Sequence, residues 1–219
     1  MINLADLKLP PLLAGKHSSP EAGMCAMELV AFIERLPHSD SPPCTCPVLG
    51  AFVRRGNDAM GDAIRQRLLA YLPRLVGTVS PEHELARGEC AAWAAITVFA
   101  PLALDASGLH QHAQALRTFD RVRGLRAAAD AAYTAANEAY TAYTAYTAAN
   151  EAADAANGAA DAANSGNAAD AASYAGGAAT AAAAWDAWFV ALDGMLTIGP
   201  QGRFTQQVPV AELAALVVE

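Results

Sequence analysis

Residue types able to do chemistry gather near the N-terminal end. Cys25 and Glu28 fall in Gly23-Met24-Cys25-Ala26-Met27-Glu28, and His38, Asp40, Cys44 and Cys46 fall in His38-Ser39-Asp40-Ser41-Pro42-Pro43-Cys44-Thr45-Cys46-Pro47. Thiolates and imidazoles are the ligands of zinc sites. Cys25, His38, Cys44 and Cys46 are therefore the candidate metal set, with zinc the implied cofactor. The spacing fits poorly, because paired cysteines of structural sites stand about two to four residues apart and only Thr45 separates Cys44 from Cys46. The same residues allow thiol chemistry. A nucleophilic cysteine needs its pKa lowered by an imidazolium or a helix N-terminus, and a base in reach. Cys25 has Glu28 one turn on and His38 in the following loop, while Cys46 stands just ahead of a helix that begins near Pro47. The competing reading is a loop that caps the first two helices, with Asp40 or Ser41 accepting backbone N–H groups and Cys25 buried as a small apolar side chain. His110 and His112, two apart on a helix, do not share a face. No phosphate-cradling glycine loop, Gly-x-Ser-x-Gly or His-Glu-x-x-His occurs.

The elements that would hold these residues are helical. Ser19-Pro20-Glu21 is a helix start, with serine at the N-cap, proline at the first helical position and an acid where the dipole favours it. It predicts a helix to about Leu36 that buries Leu29, Phe32, Ile33 and Leu36. A second helix begins near Pro47 with Val48, Leu49, Phe52 and Val53 inward, and Gly56-Asn57 is expected to break it. A third, from Asp58 to about Leu72, carries Met60, Ile64, Leu68 and Leu72 inward, with Arg65, Arg67 and Arg74 outward. Gly77 closes this unit. Ser80-Pro81-Glu82 repeats the start signal, for a helix that buries Leu85, Trp93, Ile96 and Phe99 and stops near Pro101.

The tract from Arg126 to Trp185 is dominated by alanine and lacks proline and lysine. Alanine loses no side-chain entropy in a helix, and the polar residues step by threes and fours, which keeps them on one face. Ala-Ala-Asp-Ala-Ala-Asn-Gly/Ser repeats from Ala152 to Gly158 and from Ala159 to Ser165. A face of methyl groups can approach a neighbour closely but buries little area per residue, so such a helix needs length or a partner helix. One unbroken helix would reach about 90 Å at ~1.5 Å per residue. Two antiparallel helices are expected instead, at 109–156 and 168–196, turning near 165–167. Trp185, Trp188, Phe189, Leu192 and Leu196 supply an apolar stripe in the second. A last short helix follows Pro209. The expected fold is all-α, an N-terminal helical domain (1–106) packed with an alanine-rich helical hairpin (107–219).

The net charge is −8, and no basic stripe is present, which argues against nucleic acid as the main partner. Arg117, Arg121, Arg123 and Arg126 form a cluster best read as pairing with nearby acids. The apolar run Cys90–Leu104 is too short for a membrane span and contains Pro101, and no signal peptide is recognisable. The expectation is a cytoplasmic protein with reduced thiols.

Gly15-Lys16-His17, the run Glu21 to Glu28, the run His38 to Val48, and Asn57-Asp58 together resemble a family of uncharacterised proteins from actinobacteria and their phages. Some of these also carry alanine-rich C-terminal halves. The resemblance covers roughly residues 10–80. It implies a bacterial or phage cytosolic setting, carries no mechanism, and groups Cys25, Glu28, His38, Asp40 and Cys44 as one site. Two functions follow. The favoured one is a non-enzymatic helical protein whose alanine-rich helices mediate homo-oligomerisation or bind a host protein or small molecule, as a phage or mobile-element accessory factor would. The alternative is a small metal- or thiol-dependent enzyme centred on Cys25, His38, Cys44 and Cys46.

Overall fold

The computed structural model describes residues 11–119, 124–141, 148–164 and 166–200. Among these the chain is all-α, with one isolated parallel bridge between Leu12 and Met24 and no strand. The contacts divide it into two units, Met1–Pro81 with Leu196–Glu219, and Glu82–Met195. The division falls at 81/82 rather than at 106/107. The helix beginning at Pro81 joins the alanine-rich unit because its inward residues pack against that unit's helices.

In the first unit, Ser19-Pro20-Glu21 produces only a 3-10 turn, Pro20–Ala22, with no side-chain cap from Ser19. Gly23, at φ 128°, ends it. Helix α1 (Ala26–Ile33) starts afresh behind Cys25. Leu29 and Ile33 are inward as predicted, but Phe32 is 40% exposed. Helix α2 (Pro47–Ala59) buries Val48, Leu49, Phe52 and Val53 and runs straight through Gly56-Asn57. The predicted break fails because the Asn57 side chain bonds to distant backbone instead of its own. The predicted helix 58–72 is three short pieces: α3 (Asp62–Arg65), a 3-10 segment (Gln66–Ala70) and α4 (Leu72–Leu75). Met60, Leu68 and Leu72 are buried, and so is Arg65, which does not face out. Arg74 instead lies over the Tyr71 ring, 5.3 Å from its centroid. Helix α1 packs on α2 and α4.

In the second unit, the helix from Pro81 does not stop at Pro101. It runs as α5 (Pro81–Ala94), a π-helical segment (Ala95–Phe99) and α6 (Ala100–Ala106). The Ala100 N–H donates to the Ala95 carbonyl five residues back. The donor that Pro101 lacks therefore falls where the ladder is already changing register, and the helix continues. By length and composition this helix could cross a membrane, but 56% of its most apolar window is buried inside the fold, as in a core helix. Ile96 and Phe99 are buried as predicted, whereas Leu85 is exposed.

After Gly108 (φ 79°) come α7 (His110–Arg117), α8 (Gly124–Thr141), α9 (Ala148–Asn164), α10 (Ala168–Ala181) and α11 (Trp185–Leu196). Among the described residues the alanine tract thus holds three main helices rather than two, with α9 packed against both α8 and α10 and also against α6 and the π segment. The expected turn is present at Gly166-Asn167, with Gly166 at φ 78° and Asn167 accepting the Asp170 N–H at 3.3 Å. Asn157-Gly158 and Gly176-Gly177, whose glycines also mark them as expected breaks in the tract, lie inside helices. The break before Trp185 instead uses Ala183 at φ 49°. Ala152, Ala153, Ala156, Ala159, Ala160 and Ala163 of α9 are buried, as are Ala171, Ala172, Ala175, Ala178 and Ala179 of α10. Among the described residues, the methyl rows of α9 and α10 are covered by this chain's own helices. Where α5 meets α10, a Cβ on Gly88 would stand 2.7 Å from the Ala168 Cα, so only glycine permits that crossing. Trp188, Phe189, Leu192 and Leu196 are buried as the stripe predicts, with Trp188 and Phe189 edge to face at 5.1 Å. The lead residues up to Pro10, Arg121, Arg123, the segment Phe204–Val208 and the helix expected after Pro209 lie outside the described residues.

Candidate functional site

The polar residues of the first unit converge on Glu28, whose side chain is wholly buried. Its position follows from helix capping. Cys25 is the N-cap of α1, and its Sγ accepts the Glu28 N–H at 3.5 Å while Glu28 Oε2 accepts the Cys25 N–H at 2.8 Å. This is a capping box with a thiol in the place usually held by serine or threonine. The loop before the helix then closes over the carboxylate. The His17 N–H donates to Oε1 at 2.7 Å, and His17 Nδ1 meets Oε2 at 2.8 Å. His38 Nε2 lies 3.0 Å from the His17 carbonyl and 3.5 Å from Glu28 Oε1. Both partners of His38 Nε2 are acceptors, so that nitrogen carries a proton. His17 Nδ1, facing a carboxylate, does too.

Burial pushes the Glu28 carboxyl upward. The hydrogen bonds from the Cys25 and His17 backbone and from the His17 ring outweigh it and hold the group below the usual glutamate range. Both oxygens are committed to these donors. Burial, reinforced by the Glu28 charge, pushes the Cys25 thiol up to about 12, so at neutral pH it is a protonated cap and not a nucleophile.

Asn57 is the second fixed point. It is fully buried. Its Oδ1 accepts the Ala26 N–H at 3.1 Å, and its Nδ2 donates to the Leu13 carbonyl at 2.9 Å and to Asp58 Oδ1 at 3.0 Å. Arg65 Nε donates to the Asn57 carbonyl at 2.7 Å, Nη1 to Asp62 at 2.6 Å, and Nη2 to the Met60 carbonyl. Gln66 pairs with both backbone groups of Leu12, and Asp58 accepts the Gly15 N–H at 2.8 Å. Residues 12–17 are thereby laced across α1, α2 and the 3-10 segment that begins at Gln66. Arg54 holds the Asp40 carbonyl at 3.0 Å, and Lys16 pairs with the Asp40 carboxylate at 3.4 Å.

Of the sequence-derived set, Cys25 and His38 do meet, around Glu28. Cys44 and Cys46 belong to a different turn. The Cys44 carbonyl accepts the Gly77 N–H at 2.8 Å, and the Cys46 N–H donates to Thr78 Oγ1 at 3.1 Å. Cys46 is buried; Cys44 is half-buried, and burial raises its thiol pKa. Among the described residues no three His, Cys, Asp or Glu side chains are placed to hold a metal ion. Sequence reasoning missed His17 and Asn57. The Cys-x-x-Glu spacing, a variant of the capping box, was the available signal for the Cys25–Glu28 pair.

The second unit differs in charge. Residues 82–195 contain 13 acidic and 5 basic residues, while the rest of the chain contains 9 of each. Asp105 takes both His110, at 2.9 Å, and Arg117, at 2.5 Å, so one arginine of the expected cluster is indeed paired with an acid. Asp130, Glu151, Asp154, Asp170 and Asp186 are exposed, with Tyr133 and Tyr174 standing beside them on α8 and α10.

Comparison of the chain with protein-family models, with curated proteins and with solved structures finds no match.

Proposed function

We propose that this chain is a non-enzymatic helical interaction protein, a phage or mobile-element accessory factor whose acidic second unit binds a protein partner. The observation that carries the reading is the distribution of charge. The whole net charge resides in residues 82–195, while the reactive residue types of the first unit are occupied in holding its loops. Glu28 presents no unused oxygen, and the Cys25 thiol is buried and protonated. The methyl rows of α9 and α10 are covered within the chain. What the tract offers outward is acidic and aromatic, and one-signed charge repels a second copy of itself while attracting a basic partner. A different protein is therefore the better partner than a homo-oligomer.

Light scattering on purified protein should give a monomer over a wide concentration range. Affinity capture from bacterial lysate at physiological salt should give one stoichiometric basic protein. A stable homodimer, or no stoichiometric partner, counts against the proposal. One zinc per chain on elemental analysis would favour the metal-enzyme alternative.

A further inference from the structure

Gly158 lies inside α9, where glycine weakens a helix and no turn calls for it. Its missing side chain makes room for Tyr174 of α10. A Cβ built at Gly158 would stand 3.0 Å from Tyr174 Cδ1 and 3.2 Å from both Cγ and Cε1. Such near-equal distances to three consecutive ring atoms arise only above the ring plane. An approach within that plane would leave the two neighbours of Cδ1 markedly farther off. The phenol therefore rests with one face against α9. Tyr174 is 50% exposed, so the opposite face looks outward.

Helix geometry places the carboxylates around this ring. Gly158 and Tyr174 stand equally far before and after Gly166, where the chain turns between the packed helices α9 and α10, so the two helices run antiparallel. Asp170 lies one turn before Tyr174, about 40° round α10 and ~6 Å along it. Glu151 lies two turns before Gly158, within about 20° of it and ~10 Å along α9. Because the helices run in opposite directions, the two acids flank the ring on opposite sides. Both are exposed. The Asp170 carboxylate accepts from the Asn167 side-chain amide, a neutral donor, and among the described residues Glu151 has no side-chain partner. No lysine or arginine stands between Arg126 and Arg203 to compensate them.

We infer that this ridge is a platform for an arginine-bearing segment of a partner protein. One guanidinium would stack on the open face of Tyr174, where the ring quadrupole attracts a cation. Further basic residues of the same segment would meet Asp170 and Glu151 on either side. A ring already held from behind by a helix loses little freedom on binding. The inference rests on the interaction reading above and names its surface and the chemistry of the partner. A second copy would bring acid against acid, and a nucleic acid would be repelled in the same way.

The test uses the full chain and a labelled, alanine-based helical peptide whose arginines are spaced as Glu151, Tyr174 and Asp170 are, with a twin carrying neutral citrulline for each arginine. Fluorescence anisotropy at low salt should show saturable binding of the arginine peptide and none of the twin. Y174L, which keeps apolar bulk but not the ring, should weaken binding about three- to fivefold. Y174F, which returns the ring, should recover most of that loss. D170N and E151Q should each weaken binding about twofold or more. G158A, whose Cβ displaces the ring, should weaken binding with little change in stability. V190A, at an exposed position on α11, should bind as the wild type does. Circular dichroism would verify that each variant keeps the fold, and should Y174L not keep it, G158A carries the same test. No saturable binding of the arginine peptide, equal binding of both peptides, or equal binding by wild type and Y174L would each overturn the inference. If a stoichiometric lysate partner is retained by Y174L, the platform is wrong and the interaction reading stands. If the wild type binds neither peptide nor partner, both fall.

Discussion

Glu28 is a buried carboxylate held by three N–H groups, with the His38 ring 3.5 Å away, and removing its charge should be costly. A hydrogen bond to a charged group contributes about 1.5–3 kcal/mol, and a glutamine side chain in its place would present an amide N–H2 to donors that need an acceptor. Glu28→Gln is expected to lower unfolding free energy by about 2–4 kcal/mol, read by urea denaturation; a change below the error of the measurement would mean the network is not as described. The pH dependence follows from the lowered carboxyl. As pH falls through the ordinary glutamate range, the unfolded chain takes up this proton before the folded one does. The contribution of Glu28 is therefore complete above that range and lost on acidification below it. The stability–pH curve of Glu28→Gln should be shallower there than that of the wild type, and parallel curves would refute the assignment. The thiols give a separate check. Cys25 and Cys46 are buried, and Cys25 is protonated at neutral pH. Mass mapping after native alkylation at neutral pH should find label at Cys44 and Cys90 first, and at Cys25 and Cys46 only after unfolding. At this scale the sequence showed which residue types were special but misread their work. Cys25, Glu28 and His38 were singled out together and do meet, yet as a cap and a clasp. Asn57 looked like a helix breaker because its local propensity says so, and only the distant partners Leu13 and Ala26 reveal the opposite.

At the scale of elements, two glycines and one alanine set competing effects against each other. Replacing a mid-helix glycine by alanine gains about 1 kcal/mol of propensity. At Gly88 the added Cβ would meet the Ala168 Cα at 2.7 Å, and backbone cannot swing aside. Overpacking of about 1–3 kcal/mol should win, so Gly88→Ala is expected to lower the melting temperature. At Gly158 the neighbour is the Tyr174 ring, 3.0 Å away and half-exposed. The ring can move, and Gly158→Ala should come out near neutral. Ala183 is the reverse case, an alanine in the left-handed region at φ 49°. Ala183→Gly should stabilise by about 0.5–1 kcal/mol, measured as a shift in denaturation midpoint at constant slope. These positions also mark where the helices were legible. Pro47, Pro81, Gly77 and Gly166 were read correctly from local chemistry. Helices that pass through Gly56-Asn57, Gly158, Gly176-Gly177 and Pro101, and a break at an alanine, are decided by packing that no local signal carries.

The whole molecule separates its charge. The first unit, with the C-terminal residues, is balanced and spends its ions on fixed loops; the second carries all eight surplus negative charges. Composition alone gave the total but not this partition, because the boundary at Pro81 depends on which helices the segment 82–106 packs against. That packing also settles the fate of the alanine rows, expected to be buried by a neighbouring helix and found buried within the chain. Like charges on α8–α10 repel across a surface with no lysine or arginine after Arg126 until Arg203. Such self-repulsion opposes the compact state and is screened beyond a Debye length of about 10 Å at 0.1 M salt. Raising sodium chloride from low to moderate concentration should therefore raise the melting temperature of the second unit by a few degrees, while the balanced first unit moves little. Calorimetry with Trp-monitored melting would resolve the two, since Trp93, Trp185 and Trp188 all lie in the second unit. If salt leaves that tryptophan transition unchanged or lowers it, the acidic face is not under electrostatic strain. The attraction for a basic partner that rests on the same field would then lose its physical basis.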